Sequence, residues 1–207
     1  MVEFFHMSAE QPDWRALRQV VDILNKGGLV VYPTDACYAL GCLPQSKTAV
    51  ERIYSIRQLK RSHDFTLLCA ELKVVSDYVY VDNAAFKVLK EYTPGPFTFI
   101  LPAQRQVPTF IKELYLDKKE VKTMGIRIPD HPILLGLLEL LEQPLLTSTL
   151  QLPNMEHPLN SEDLFAESFT TPVDAVIEAG ACSEMGTTVV DLTVSPPVIL
   201  RQGVGAF

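Results

Sequence analysis

Two hydrophobic periods alternate along the chain. Trp14, Leu17, Val20, Val21 and Leu24 recur at helical spacing behind Asp13, which is placed to accept the first free amide hydrogens, and Gly27-Gly28 ends the run. Leu29 to Tyr32 is continuously apolar and stopped by Pro33, the pattern of a buried strand. Val50, Ile53 and Tyr54 form the stripe of a second helix that Ser46 can cap, and Phe65 to Cys69 is strand-like again. Asp82 or Asn83 opens a third helix bearing Phe86 and Leu89. Thr93-Pro94-Gly95-Pro96 breaks it before a strand from Phe97 to Leu101. The stretch from Arg105 to Lys122 mixes both charge signs and reads partly as loop. Met124, Ile126 and Ile128 alternate as in a half-buried strand. Asp130 as N-cap with Pro132 in the first turn predicts a helix through Leu141, and Leu145 to Thr149 is a strand. A short acidic helix from Ser161 to Ser168 precedes three strands, Ala175 to Glu178, Thr187 to Leu192 and Val198 to Arg201.

Helix and strand alternate early, and strands follow one another late. That order predicts one α/β domain over residues 1–207, built on a mixed sheet flanked by helices. A length of 207 residues is enough for a core without covalent staples. No apolar run reaches the roughly 18 residues that a membrane span needs. The opening MVEFFHMSAEQPD lacks a basic, then apolar, leader, so a cytoplasmic protein is expected. Cys37, Cys42, Cys69 and Cys182 form no C-x-x-C pair and read as free thiols. The four histidines have no metal-ligand spacing, and no protein-bound structural metal is expected.

Charge changes the picture through its placement. Up to residue 127 there are 17 Lys and Arg against 14 Asp and Glu, a net +3. Beyond it Arg201 alone faces 11 acidic residues, a net −10. An acidic chain attracts nucleic acid only locally, so an anion site must be built from the first part plus Arg201.

Four places carry candidate chemistry. Thr34 and Asp35, with Tyr38 close behind, sit just past a strand's C-terminal end, where α/β sheets bind ligands; the alternative is a Pro-Thr-Asp turn. Arg57, Lys60 and Arg61 gather between a helix and a strand, where cations suit phosphate or simply solvate a helix end. Thr147, Ser148 and Thr149 put three hydroxyls at a strand end, although threonine is also an ordinary strand former. Thr187 and Thr188 lead into a strand with Arg201 close behind; the alternative for Arg201 is pairing with an acidic neighbour. The general phosphate-loop, dinucleotide and nucleophile-elbow patterns do not occur.

Taken in order, these places resemble the YrdC/YciO family. The resemblance rests on Gly27-Gly28, Tyr32-Pro33-Thr34-Asp35, Tyr38 and Leu40-Gly41, then Pro94-Gly95-Pro96-Phe97-Thr98 and Arg127-Ile128-Pro129 with His131-Pro132. It continues through the hydroxyl cluster, Thr188-Val189-Val190-Asp191 and Leu200-Arg201. Ile56-Arg57-Gln58-Leu59 and His63-Asp64-Phe65-Thr66-Leu67 are similar to the YciO branch. The resemblance implies a twisted mixed sheet of the YrdC/RibB type with a concave basic face. It implies a YciO-type protein that binds nucleotide or RNA and has some L-threonylcarbamoyladenylate synthase activity, a nucleotidyltransferase reaction. That reaction takes L-threonine, bicarbonate and ATP with Mg²⁺, releases pyrophosphate, and serves threonylcarbamoyladenosine formation in tRNA. The alternative is a non-catalytic module binding double-stranded RNA or a nucleotide such as AMP in the same cavity. By resemblance, Thr34, Arg127 and Thr188 would meet threonine. Arg57, Lys60, Arg61, Ser148, Thr149 and Arg201 would meet the nucleotide, and no protein nucleophile is needed. The synthase branch carries Lys-x-Arg where this chain reads Arg57-Gln58-Leu59, and Ser-x-Asn where it reads Thr149-Leu150-Gln151.

Overall fold

The computed structural model describes residues 2–60, 65–104, 123–164 and 171–207. In these residues ten strands form one mixed sheet. They are β1 (Glu3–His6), β2 (Val30–Tyr32), β3 (Ala39–Cys42), β4 (Thr66–Leu68), β5 (Phe97–Pro102), β6 (Thr123–Arg127), β7 (Leu145–Thr149), β8 (Ala175–Glu178), β9 (Thr188–Asp191) and β10 (Val198–Arg201). Their order across the sheet is β1-β8-β2-β3-β7-β4-β6-β5-β9-β10. β1 and β2 both run parallel to β8, β4 is parallel to β6, and β5 is parallel to β9. The remaining pairs are antiparallel. The mixed α/β class read from the pattern is the one observed.

Among the described residues six helices accompany the sheet: α1 (Trp14–Asn25), α2 (Lys47–Arg57), α3 (Leu72–Val75), α4 (Asn83–Tyr92), α5 (Pro132–Leu141) and α6 (Ser161–Leu164). Strand alternation divides the core between the two faces. On one face, α1 sends Leu17, Val20 and Leu24, and α5 sends Ile133, Leu134, Leu137 and Leu138, against Val30, Tyr32, Leu68, Leu145 and Ile177. Burying each such aliphatic side chain contributes roughly 1.5–3 kcal/mol. On the other face, α2 with Ala49, Val50, Ile53 and Tyr54, and α4 with Leu89, cover Leu40, Leu67, Phe99, Ile126 and Val190. Asp13 caps α1 by accepting from the Arg15 and Ala16 amides at 2.8 and 3.1 Å. Asp82 caps α4 by accepting from the Ala85 amide at 2.8 Å.

Some local expectations are corrected. The α5 cap position is His131, one residue later than Asp130, and the Asp130 amide donates to Asp35 instead. Ser46 precedes α2 but its hydroxyl donates to the Gly27 carbonyl at 3.0 Å, tying two loops instead of capping. Phe86 is 49% exposed, and Trp14 is exposed at the start of α1. β1, β3 and α3 were not anticipated; each is only four residues long, too short for a period to show. The expected loop over 105–122 and the second part of the acidic helix lie outside the described residues.

Candidate functional site

The α1–α5 layer covers only part of its face. Beyond Leu68 and Leu145 the same face continues as Thr66, Thr147 and Thr149, followed across the ladder by Gly125 and Arg127, then Thr98 and Ile100, then Val189. These positions are in register, so their side chains stand side by side on one surface. They form the floor of a cavity of about 170 Å³ that Cys37, Ala39, Arg57, Ser148, Thr187 and Arg201 complete. Three arginines line it, and no Lys, Asp or Glu does so among the described residues.

Each arginine arrives differently. Arg127 projects from β6, is only 5% exposed, and forms an ion pair with Asp35 from the β2–β3 loop. Asp35 also accepts from the Asp130 amide at 3.1 Å. The Arg127 Nε has no hydrogen-bond partner among the described residues, which leaves one buried donor for a ligand. Arg57 is the last residue of α2, on the opposite side of the sheet. Ser148 shares that side by alternation, and Arg57 donates to its Oγ at 2.8 Å and to the Gln151 carbonyl at 3.3 Å. Arg201 ends β10, beside a register shift between Ile199 and Arg201. It donates to the Thr187 carbonyl from Nη2 at 2.9 Å and from Nε at 3.2 Å. Gly186 leaves room for it: a Cβ there would lie 3.2 Å from Nη2.

The charges converge. Burial pushes the Cys37 thiol up, while Arg127, Arg201 and Arg57 all oppose that rise. Burial also pulls the Arg57 guanidinium down, and the Arg201 charge acts in the same direction. Three guanidinium groups, of which only Arg127 is paired with an acid among the described residues, favour an anion in a half-desolvated site. Around them stand hydroxyls: Thr98 and Thr187 bond to each other at 2.9 Å, and Thr147 accepts from the Tyr32 hydroxyl at 3.0 Å.

The candidates from sequence are thus partly brought together. Arg57, Arg127, Ser148, Thr149 and Arg201 line one cavity. Thr34 does not line it: its hydroxyl donates to the Cys37 carbonyl at 2.7 Å and accepts from the Ala36 amide at 3.0 Å, the work of a turn. Tyr38 is buried, with its hydroxyl donating to the Gly180 carbonyl at 2.8 Å. Thr188 is fully buried and also outside the lining; its hydroxyl donates to the Gly205 carbonyl and accepts from the Gly203 amide, which anchors the C-terminal segment. Lys60 is exposed and lines no part of the cavity. Arg61 lies outside the described residues. Thr187, named beside Thr188 in the sequence, lines the cavity, and so do Cys37, Thr66 and Thr98, to which sequence reasoning assigned no role. The available signal was polar threonine beside apolar residues on otherwise buried strands. No cluster of His, Cys, Asp or Glu suited to a metal occurs among the described residues, and no helix there is long and apolar enough to cross a membrane.

The family model described as Telomere recombination, Sua5_yciO_yrdC, matches residues 22–203. The YciO protein of Escherichia coli K12 is 43% identical over 205 residues, covering 99% of this chain and 97% of that one. The crystal structure of E. coli YciO superposes with a TM-score of 0.89, over 100% of this chain and 98% of the other. The threonylcarbamoyl-AMP synthase of Pyrococcus abyssi is 29% identical over 196 residues; the match takes in 92% of this chain and 54% of the synthase. The chain thus spans about half the length of that enzyme. The crystal structure of P. abyssi Sua5 complexed with L-threonine matches at 26% identity and a TM-score of 0.82, over 98% of this chain and 57% of that one. With a matching model over most of its length and a full-length relative of the same fold, the chain belongs to the Sua5/YciO/YrdC family.

Proposed function

We propose that this chain binds a nucleotide and L-threonine in the tri-arginine cavity, and that it has L-threonylcarbamoyladenylate synthase activity. The observation that carries the reading is the convergence of Arg57, Arg127 and Arg201 on one hydroxyl-lined surface without a lining carboxylate among the described residues. The P. abyssi relatives supply the chemistry: one is a threonylcarbamoyl-AMP synthase and one holds L-threonine.

The chemistry runs by positioning. The threonine amine adds to bicarbonate, water leaves, and a carbamate forms. A carbamate oxygen attacks the α-phosphorus of ATP, and the bond to the β-phosphate breaks as pyrophosphate departs with the Mg²⁺ that accompanied ATP. Arg127, steadied by Asp35, offers its spare Nε hydrogen to an anionic group such as the threonine carboxylate. Arg57 and Arg201 offset the negative charge that grows around phosphorus. No nucleophile from the protein is required; burial keeps the Cys37 thiol protonated. The product would serve threonylcarbamoyladenosine formation in tRNA, and the expected place of work is the cytoplasm.

Purified protein given threonine, bicarbonate and ATP should release pyrophosphate, and Arg57→Ala should lower the rate by about 10²–10³, the usual effect of removing one charge-stabilising donor. Equal rates in both proteins would exclude Arg57 from the mechanism. A second reading is a non-catalytic nucleotide or double-stranded RNA binder. It is supported by Gln151, whose amide donates to the Met155 and Glu156 carbonyls, and by Leu59, which packs on the core. Such a protein would bind RNA with steep salt dependence and no turnover.

A further inference from the structure

β10 forms one border of the sheet without cover. Among the described residues it pairs with β9 alone, so its outward backbone groups meet no neighbouring strand. Val198, Ile199 and Leu200 are 46, 41 and 59% exposed. Of twelve exposed large apolar residues among those described, six lie between 194 and 207, so this kind of surface is gathered at one border rather than scattered. The opposite border differs. β1 exposes Glu3 and His6, and an edge strand with an ionised side chain resists the addition of another strand. From this contrast we infer that two copies of the chain join edge to edge through β10, about a two-fold axis.

The occupant follows from charge and shape. Residues 192–200 include no ionisable side chain. The flanking charges are engaged within the chain: Asp191, opposite Val198, accepts from the Thr193 amide at 2.8 Å and its hydroxyl at 2.6 Å, and Arg201 donates to the Thr187 carbonyl at 2.9 Å. A strand rich in either charge finds no counter-charge on this strip and would lose hydration against Val198, Ile199 and Leu200. β10 is itself uncharged and aliphatic there, so the border is complementary to its own copy. Two chains of net charge −7 repel each other, and an uncharged strip is where they approach with least repulsion. Beside the strip a recess of about 210 Å³, lined by Val88, Leu192, Val194 and Pro197 among others, has room for an aliphatic side chain of the second copy. The ends of the strand limit the assembly. Pro196 and Pro197 precede it and lack amide hydrogens, and the register shift between Ile199 and Arg201 bends it at the other end. Pairing is thereby held to Val198–Leu200. A two-fold contact uses the same border of both copies, and the borders left over are the two β1 strands, so association stops at two.

Sedimentation velocity on the full chain, from about 1 to 200 µM, should show a concentration-dependent passage from the 23.1 kDa chain to a species of twice that mass. Leu200→Lys and Ile199→Lys should each weaken association by about a hundredfold or more, with an unchanged circular dichroism spectrum, because each change counts twice across the axis. Leu200→Glu should be monomeric alone, and mixing it with Leu200→Lys should restore the dimer. Phe4→Lys, on the β1 border, should leave the mass distribution as it was. A monomer at every concentration, whether or not an added neutral apolar strand peptide binds it, would overturn the inference. So would a dimer that survives both lysine variants, one that Phe4→Lys dissolves, or growth beyond two copies.

Discussion

At Gly41 a single hydrogen stands where any other residue would put a carbon. A Cβ there would lie 2.3 Å from Cε1 of Tyr32 and 2.4 Å from its hydroxyl. That hydroxyl in turn holds Thr147 on the cavity floor, so one missing methyl lets a buried phenol orient a lining residue. Gly41→Ala should therefore destabilise the protein by about 1–3 kcal/mol, through overpacking, with a lower thermal midpoint in a calorimetric scan. No change in midpoint would show that the Tyr32 ring moves aside freely. At this scale the arginines were legible, because a lone cation in an acidic region or a clustered set calls for a partner. The division of labour among hydroxyls was not. Thr34 and Thr188 look like ligand groups in sequence, yet both satisfy backbone atoms, while Thr187 beside Thr188 and the unassigned Thr66 and Thr98 reach the cavity. A hydroxyl serves a turn or a ligand equally well, and only tertiary pairing decides.

The elements carry their own controls. Asp13 takes two otherwise orphaned amides at the start of α1, whose inner face then buries Leu17, Val20 and Leu24 against the sheet. Asp13→Ala should cost about 1 kcal/mol of stability by urea unfolding, without altering ligand affinity, since α1 supplies no lining residue. A matching loss of affinity would mean that α1 positions the floor beneath it. α1 and α2 were readable because three or more apolar positions recur at one spacing, and α4 and α5 because a capping residue or a first-turn proline marks where each begins. β3 was not, since Ala39–Cys42 is buried on both sides and shows no alternation, so it passed for a continuation of the ligand loop. The crossing of the sheet by β7, which separates β3 from β4, depends on pairing between distant residues that no local pattern records.

For the molecule as a whole, the acid range engages two depressed groups among the described residues. Burial holds His131 below its ordinary 6.5, with Arg127 acting the same way and Asp35 and Asp130 opposing. Its folded form resists the proton that the unfolded chain accepts, so stability is full above about 6.5 and falls as pH drops below it. Asp174 is also depressed: burial works against this, but the Arg52 hydrogen bond and the Leu29 amide outweigh it. That contribution is present above its ordinary 3.8 and is lost as pH falls through the lower folded value. Urea unfolding at pH 7, 5.5 and 4 should show the first decline, and His131→Gln should flatten the slope between 7 and 5.5. An unaltered slope would assign the acid response to other groups.

The last strand has a consequence of its own. β10 is the sheet's outermost rung, with Leu200 59% exposed, and yet its final residue delivers one of the three guanidinium groups. The least sheltered piece of the scaffold is thus wired to the interior of the cavity, through Arg201 and through the Thr188 hook on Gly203 and Gly205. An anion clasped by Arg201 would brace this border from within, so fraying of the rim and emptying of the cavity become one equilibrium seen from two ends.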